Sequence, residues 1–338
     1  MTTELPALTV ENALKGLDDL RDDPRQVAVT GDSRDGRVYV TSPDLVRAVK
    51  VALLTGRPLL LGGPPGGGKS SLAAYVARNL GIAYYEYICS DESRPSELLW
   101  TIDSVRRLSD AQVGRLAAED DLVGYARYLL PGSLWWAMDP ESAARRGLAA
   151  NVPRSSELPA APDPRIELPG GVNFQGSVLL IDEIDKADSA FSNGLLVPLG
   201  SRAFDVSAVG VRIAAQSTWS PLVIISSNKD RDLPPALLRR CVSIDIAPPN
   251  REQLVNIALR QLPHATISDQ IRLAIEDLAA VVVGEAEGGA PSAAEFIDLV
   301  RVLIGTNDFD VRSEEWEMVR GLVTAQSRDL PMRRGVSS

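Results

Sequence analysis

Five short segments of the 338-residue chain are rich in apolar residues and are bounded by glycine, proline or polar positions. Two of them, Val178–Ile181 and Leu222–Ile225, are apolar throughout, which is typical of strands covered on both faces in a parallel sheet. The pattern predicts an α/β fold whose strands are, in chain order, Pro58–Leu61, Ala83–Cys89, Val178–Ile181, Leu222–Ile225 and Val242–Ile246.

Helical patterns separate these strands. Leu72, Val76 and Leu80 recur at every fourth position, and Gly81 stands where a helix C-cap would fall. Ser42-Pro43-Asp44 has the residue types that begin a helix. Less regular patterns predict a helix over Val10–Leu20, a short strand over Arg37–Val40, helical pieces at Pro95–Trp100 and Ala111–Ala118, a surface loop over Asn151–Gly171 and a hairpin over Arg202–Ile213.

The pattern changes after Pro248-Pro249, where only helical periodicity follows. Ser292 and Glu295 have the spacing of a capping box at the start of one of these helices. We therefore predict an N-terminal extension (residues 1–40), an α/β nucleotide-binding core (41–248), a smaller helical domain (249–325) and a disordered tail (326–338).

Composition and charge narrow the class of protein. The net charge of −10 disfavours nucleic acid and anionic membranes as general partners, although it leaves room for a local basic groove. No apolar run approaches the ~20 residues that span a bilayer, and Met1–Val10 lacks a signal-peptide pattern, so we expect a cytoplasmic protein. Two cysteines, Cys89 and Cys241, and one histidine, His264, exclude a disulfide framework and a Cys/His zinc site. We expect both cysteines to be buried thiols and His264 to be a loop residue.

A glycine-rich loop follows the first predicted strand. Gly63 to Ser70 reads Gly-Pro-Pro-Gly-Gly-Gly-Lys-Ser and satisfies the phosphate-loop pattern G-x-x-x-x-G-K-[ST]. Glycines let several backbone N–H groups point at phosphate oxygens, and the N-terminus of the next helix adds positive potential. Lys69 would contact the β- and γ-phosphates of ATP, and the Ser70 hydroxyl would be a Mg²⁺ ligand.

Two carboxylates, Asp182 and Glu183, directly follow the third predicted strand. Asp182 would hold Mg²⁺ through water, and Glu183 would orient and polarise the attacking water. The sequence thus predicts an ATPase that uses ATP and Mg²⁺. The predicted nucleotide-binding residues are Gly63, Pro64, Pro65, Gly66, Gly67, Gly68, Lys69, Ser70, Ser71 and Asp182.

Polar residues also end the fourth strand and precede the fifth. Asn228 lies at the sheet edge where the carboxylates lie; its amide could contact the γ-phosphate or the water, or it could simply begin a turn. Arg239 and Arg240 precede the fifth strand. One of the two, with Arg240 favoured, could reach a neighbouring subunit's γ-phosphate, the alternative being a surface ion pair. The predicted catalytic residues are therefore Glu183, Asn228, Arg239 and Arg240.

In combination these motifs resemble an AAA+ ATPase of the MoxR-like group. The resemblance rests on Gly63–Ser70, Ile181–Lys186, Ser226–Asn228 and Leu233–Arg240. They are similar to the family's Walker A, Walker B, sensor 1 and finger-arginine segments, with Cys241 where the family has Phe. The resemblance implies a five-stranded sheet of order 5-1-4-3-2, a C-terminal helical lid, and ATP bound at the subunit interfaces of a homo-oligomeric, usually hexameric, ring.

The resemblance also implies a protein client that is remodelled or activated, often one with a von Willebrand factor A domain. One departure concerns sensor 2, because Gly289–Glu295 contains no arginine and Arg301 lies about two turns further on. This departure favours a second hypothesis, a slow ATP-dependent switch or signalling scaffold. A nucleic-acid-dependent ATPase is a third hypothesis, which the negative charge disfavours.

Overall fold

The computed structural model describes residues 8–22, 35–115, 122–152, 160–215, 221–262, 267–284, 292–306 and 310–324. The predicted tail (326–338) and the predicted loop residue His264 lie outside these ranges. The chain divides into two compact units. The first contains the described residues up to Ile246 except Pro65–Gly68, which belong with the second unit and its residues from Ala247 onward.

A five-stranded parallel sheet forms the centre of the first unit. Its strands are β1 (Leu59–Gly62), β2 (Ala83–Ile88), β3 (Ser177–Asp182), β4 (Pro221–Ser227) and β5 (Val242–Asp245). They lie in the order β5-β1-β4-β3-β2, the order that the resemblance to AAA+ ATPases implies. Because all five strands are parallel, their carboxyl ends meet at one edge of the sheet, where α/β proteins bind ligands.

The described residues of the first unit also form helices. They are α1 (Val10–Asp18), α2 (Pro43–Thr55), α3 (Lys69–Leu80), α4 (Pro95–Leu99), α5 (Ser104–Gln112), α6 (Leu122–Ala126), α7 (Ser133–Met138), α8 (Pro140–Ala144), α9 (Ser189–Gly194), α10 (Leu196–Ser201) and α11 (Pro235–Leu238). The residue types that predict helix ends act as expected at α2: the Ser42 hydroxyl accepts the N–H of Leu45 at 3.2 Å, and Gly56 ends the helix at φ 64°.

Alternation along β3 divides the apolar contacts between two cores. Leu179 and Ile181 lie in a core with residues of α7, α9 and α10, whereas Val178 and Leu180 lie in a core with residues of α1, α2 and α3. All six residues of β3 are buried, as the unbroken apolar run predicts. The sheet is therefore held from both faces, which fixes the strand ends that carry polar residues.

The described residues also form two small antiparallel sheets of two strands each. One pairs Ala203–Val206 with Val211–Ala214, which confirms the hairpin predicted over this region. The other pairs Trp100–Ile102 with Leu129–Pro131 and was outside the predictions. Its strands have only three residues each and lie far apart in sequence, so no local turn signal connects them.

The strand predicted over Arg37–Val40 is wrong, because these residues form no strand. The ring of Tyr39 packs instead against Tyr75 of α3, with centroids 5.6 Å apart. The backbone N–H of Tyr39 donates to the carboxylate of Asp22 at 3.3 Å. An apolar run in this segment therefore indicates contact with a helix rather than pairing within a sheet.

The helix predicted over Ala111–Ala118 is also wrong in its bounds, since α5 begins earlier and ends at Gln112. Asp103 caps α5 by accepting the N–H of Arg106 at 2.9 Å. Gly114, at φ 69°, follows its end. Residues 116–118 lie outside the described residues.

The second unit contains the helices α12 (Arg251–Gln261), α13 (Asp269–Gly284), α14 (Ala293–Thr306) and α15 (Glu314–Thr324). Ile275 and Phe296 lie in its shared apolar core. The predicted capping box is present, because the N–H of Glu295 donates to the Ser292 hydroxyl at 3.1 Å and the Glu295 carboxylate accepts the N–H of Ser292 at 2.7 Å. Across the described ranges, no helix has the length and apolar character needed to cross a membrane.

Candidate active site

The phosphate loop follows β1 and contains glycines in backbone conformations that other residues rarely adopt. Gly63, Gly66 and Gly68 have φ values of 135°, 74° and 81°. A Cβ at Gly63 would lie 2.2 Å from the carbonyl oxygen of Ile246. Glycine at position 63 is therefore required both by its dihedral angle and by the close approach of the chain that follows β5.

Lys69 is the first residue of α3 and is 5% exposed. Its ammonium group donates to the carbonyl oxygens of Gly63 and Pro64, both at 2.7 Å. Burial lowers the pKa of Lys69, and the carboxylates of Asp182 and Asp185 oppose that shift. The hydrogen-bond acceptors that the structure describes for this ammonium group are thus neutral carbonyl oxygens, which the oxygens of an anion could replace.

Asp182, the last residue of β3, accepts hydrogen bonds from two hydroxyl groups. The Ser70 hydroxyl donates to its Oδ1 at 2.7 Å, and the Ser226 hydroxyl of β4 donates to the same oxygen. Asp182 is 2% exposed, and Ser226 is fully buried. Hydroxyl and carboxylate oxygens are the ligands that Mg²⁺ prefers, so Ser70 and Asp182 fit the predicted metal ligands chemically.

Glu183 adopts a left-handed backbone conformation, with φ 55° and ψ 46°, which costs about 1–3 kcal/mol in a residue other than glycine. Its N–H donates to the Ser226 hydroxyl at 2.8 Å, so one serine holds both carboxylate residues. The strand β3 ends at Asp182, and this turn at Glu183 follows it directly.

Two side chains hold the Glu183 carboxylate. The Asn228 amide donates to Oε1 at 3.3 Å, and the Lys186 ammonium donates to Oε2 at 2.6 Å. The hydrogen bond to Glu183 raises the pKa of Lys186. Asn228 therefore lies beside the carboxylate, and Lys186 neutralises that carboxylate in this conformation.

Asp185 is a buried carboxylate that sequence reasoning left without a role. It is 1% exposed, and it accepts the N–H of Asn228 at 3.2 and 3.1 Å and the N–H of Asp230 at 2.9 Å. Asp185 thereby fixes the backbone of the segment that carries Asn228. The only sequence signal for this role is the place of Asp185 in the motif Ile181–Lys186, directly after the two strand-end carboxylates and an isoleucine.

Most of the predicted catalytic and nucleotide-binding residues lie at one edge of the sheet. Lys69, Ser70, Asp182, Glu183 and Asn228 lie at the carboxyl ends of β1, β3 and β4. Pro64, Pro65 and Gly67 lie in the loop itself, and Ser71 lies in the first turn of α3, but the described contacts assign Ser71 no ligand role. This edge of the sheet thus brings together the loop lysine, the hydroxyl and both carboxylates.

Arg239 and Arg240 lie at the opposite edge of the sheet. They come just before β5, whose first residue pairs with Leu59, the first residue of β1. The four residues of β1 span about 13 Å, which is longer than an arginine side chain. Both side chains are exposed, and neither forms an ion pair with another described residue. Neither arginine can therefore reach the phosphate loop of its own chain.

A model of the AAA domain of the dynein-related subfamily matches residues 58–241, more than half of the chain. The chain belongs to this family of AAA+ proteins. The matched segment contains the phosphate loop, both carboxylates, Asn228 and both arginines. Members of the family in general use a nucleotide together with Mg²⁺.

Two solved structures that match the chain are distant from it in sequence. A mutant form of RuvB from Thermotoga maritima has 15% identity and a TM-score of 0.42, covering 86% of this chain and 73% of that chain. A protein from Cytophaga hutchinsonii described as a candidate ATPase has 14% identity and a TM-score of 0.42, covering 92% of this chain and 86% of that chain. Likenesses this weak carry no argument about activity or partners. No curated protein matches the chain in sequence.

Proposed function

We propose that this chain binds ATP with Mg²⁺ and hydrolyses it, as an AAA+ ATPase of the MoxR-like group. The observation that carries the proposal is the position of Asp182, whose carboxylate accepts the Ser70 hydroxyl beside the phosphate loop and lies one residue from Glu183. Phosphate binding, metal ligation and water activation then have separate side chains at one sheet edge. A phosphate loop without these carboxylates would support binding alone.

The residues at this edge divide the chemistry among them. Lys69 would exchange the carbonyl oxygens of Gly63 and Pro64 for phosphate oxygens, and the loop N–H groups would bind the remaining oxygens. Ser70 and Asp182 would hold Mg²⁺, which supplies neutralisation of phosphate charge when bound. Glu183 would accept a hydrogen bond from the attacking water and take up its proton, while Asn228 keeps the carboxylate oriented.

Hydrolysis in this proposal needs a second copy of the chain. The opposite-edge position of Arg239 and Arg240 supports a role for one of them, with Arg240 favoured, in the site of a neighbouring subunit. A head-to-tail interface that closes on itself gives a ring, for which we propose a hexamer. An arginine supplied in this way stabilises charge that develops on the transferred phosphoryl group.

Replacement of Glu183 by glutamine tests the assignment of hydrolysis. We expect E183Q to lose steady-state ATPase activity by about 100-fold or more and to keep ATP binding, because glutamine cannot accept the proton but preserves shape. The matched control is E141Q, which changes an exposed glutamate in α8. Unchanged turnover in E183Q would refute the assignment.

Hydrolysis would drive a change in a protein client. We propose remodelling or activation of a protein client in the cytoplasm, for example one with a von Willebrand factor A domain. E183Q with ATP should retain such a client in a pull-down, whereas the loop variant K69A should not. The net charge of −10 continues to disfavour nucleic acid.

A slow ATP-dependent switch is the second candidate, and one observation favours it. The described start of α14, Ser292 to Glu295, contains no arginine, and Arg301 forms an ion pair with Asp298 at 2.8 Å. Client release on nucleotide exchange without turnover would support the switch. ATPase activity that rises on addition of the client would support the remodelling motor.

A further inference from the structure

Arg57 is the exposed residue that precedes Pro58 and β1, and its guanidinium group contacts three consecutive carbonyl oxygens. Its Nη2 donates to the carbonyl of Arg239 at 2.6 Å and to that of Cys241 at 2.7 Å, and its Nε donates to that of Arg240 at 3.1 Å. One side chain therefore provides hydrogen-bond donors to the carbonyl oxygens of the turn that contains the two candidate trans arginines.

The acceptors are carbonyl oxygens at the end of α11 and in the turn that leads into β5. Carbonyls at a helix C-terminus lack partners within the helix and carry partial negative charge, so a cation with several donors stabilises them. Guanidinium presents these donors in one rigid plane, whereas the ammonium of lysine is a point charge with no fixed fork. The three hydrogen bonds fix the orientation of the peptide units, and hence the directions in which Arg239 and Arg240 leave the backbone.

The same region is tied to the strand that enters the phosphate loop. The N–H of Val242 donates to the carbonyl of Pro58 at 2.8 Å, and β1 runs from there to Gly62 and the loop. Arg240 itself lies beside α10, since a Cβ added to Gly200 would be 3.4 Å from its Nε. The turn is thus held by Arg57 at its backbone, while the Arg240 side chain lies on the exposed side.

We propose that Arg57 is a positioning residue for catalysis in the neighbouring subunit, because it holds the turn that presents Arg240 or Arg239. This inference rests on the proposed ATPase function and on the trans arginine. Arg57 contacts no phosphate and no reacting atom. Its loss should therefore impair the site of the neighbour and leave nucleotide binding in its own subunit intact.

The first experiment compares R57Q and R57K with R47Q in the full-length chain. Arg47 is a matched control, since its side chain is 72% exposed and, among the residues that the structure describes, forms an ion pair with Asp44 on α2 alone. We expect R57Q to lower kcat by about tenfold or more with the KM for ATP within about twofold, since a trans arginine contributes about 10³–10⁵-fold. R57K should lie between R57Q and wild type, and R47Q should match wild type. Wild-type kcat in R57Q would overturn the inference.

The second experiment mixes subunits and separates positioning from general damage. In a head-to-tail ring each R57Q site receives its arginine from the next subunit, so at equal amounts about half of these sites face an E183Q donor with an intact turn. E183Q alone should be inactive, but it would still supply Arg240. We expect ATPase activity per R57Q subunit to rise on mixing with E183Q, as it should for R240A mixed with E183Q.

Each outcome of the mixing experiment decides a different point. A rise for R240A without a rise for R57Q would overturn the role of Arg57 and leave the proposed trans arginine standing. No rise for either variant would refute the trans arginine, and the role of Arg57 with it. If R57Q fails to fold, as judged by circular dichroism and ATP binding, R57K is mixed in its place and the same comparison applies.

Discussion

Asp185 offers the sharpest test of how the carboxyl edge is built. Substitution D185N keeps the size of the side chain but leaves one oxygen acceptor where the carboxylate receives the N–H groups of Asn228 and Asp230. An amide oxygen at the Oδ2 position can still accept both N–H groups, but these bonds lose the charge of the acceptor, and Asn228 loses its second contact, to Oδ1. A hydrogen bond to a charged group contributes about 1.5–3 kcal/mol, and the cost of burying the carboxylate offsets part of it. We therefore expect D185N to lower the free energy of unfolding by about 1.5 kcal/mol.

The same change should act on catalysis through Asn228. If its backbone shifts, the amide no longer meets Glu183 at 3.3 Å, so kcat should fall by about tenfold or more while the affinity for ATP changes little. Urea unfolding followed by circular dichroism measures the stability, and steady-state ATPase assays measure kcat. The control is D205N, which removes one charge from an exposed pair with Arg212 and should alter stability by less than about 0.5 kcal/mol.

Two results would contradict this reasoning. Equal stability of D185N and wild type would mean that the charge of Asp185 adds no net free energy to its hydrogen bonds with Asn228 and Asp230. Lower stability with unchanged kcat, measured where both proteins are folded, would mean that Asp185 supports the fold without orienting Asn228.

Two further predictions concern the loop and the cysteines. G63A should abolish nucleotide binding or folding, because its Cβ would clash with the Ile246 carbonyl oxygen. The control G210A is also at positive φ but has no neighbour within 4 Å, so it should lower the free energy of unfolding by only about 1 kcal/mol. Equal effects of the two variants in urea titrations and ATP-binding assays would refute the steric argument. Burial raises the pKa of Cys89 to about 12 and that of Cys241 to about 11, so both thiols stay protonated at about pH 8 and should resist alkylation until unfolding. Because the folded state disfavours the thiolates, the two buried thiols contribute stability that is complete below the ordinary thiol pKa and is lost as pH rises through about 11–12. Rapid alkylation of the native protein would contradict the prediction that both thiols are buried and protonated.

Local sequence determined the parts of the site whose requirements are local. Positive φ at Gly63, Gly66 and Gly68 needs glycine, and the lysine and serine that follow begin a helix, so the loop is readable within one short segment. An unbroken apolar run marks β3 as a central parallel strand, and polar residues directly after it must lie at the carboxyl edge. These features placed Lys69, Ser70, Asp182, Glu183 and Asn228 without tertiary information.

Patterns that depend on a distant partner were less informative. Arg37–Val40 has the residue types of a strand, yet β-propensity has no effect unless another strand offers its edge, and Tyr39 meets α3 instead. The antiparallel pair of Trp100–Ile102 with Leu129–Pro131 joins strands separated by a long connection, so no turn residue between them predicts the pairing. In both cases the apolar character was visible, and the identity of the partner was not.

The sequence by itself determined the family, the phosphate loop and the placement of the carboxylates, because the loop glycines and the unbroken apolar run of β3 are visible in neighbouring residues. Tertiary structure decided which distant side chains hold the carboxylates and the turn that contains Arg239. Ser226 reaches Asp182 across 44 positions, and Arg57 reaches the carbonyl of Arg239 across 182. A serine in a strand or an arginine before one carries no local signal of such a contact, because hydrogen bonds between distant segments depend on how the sheet brings its strands together.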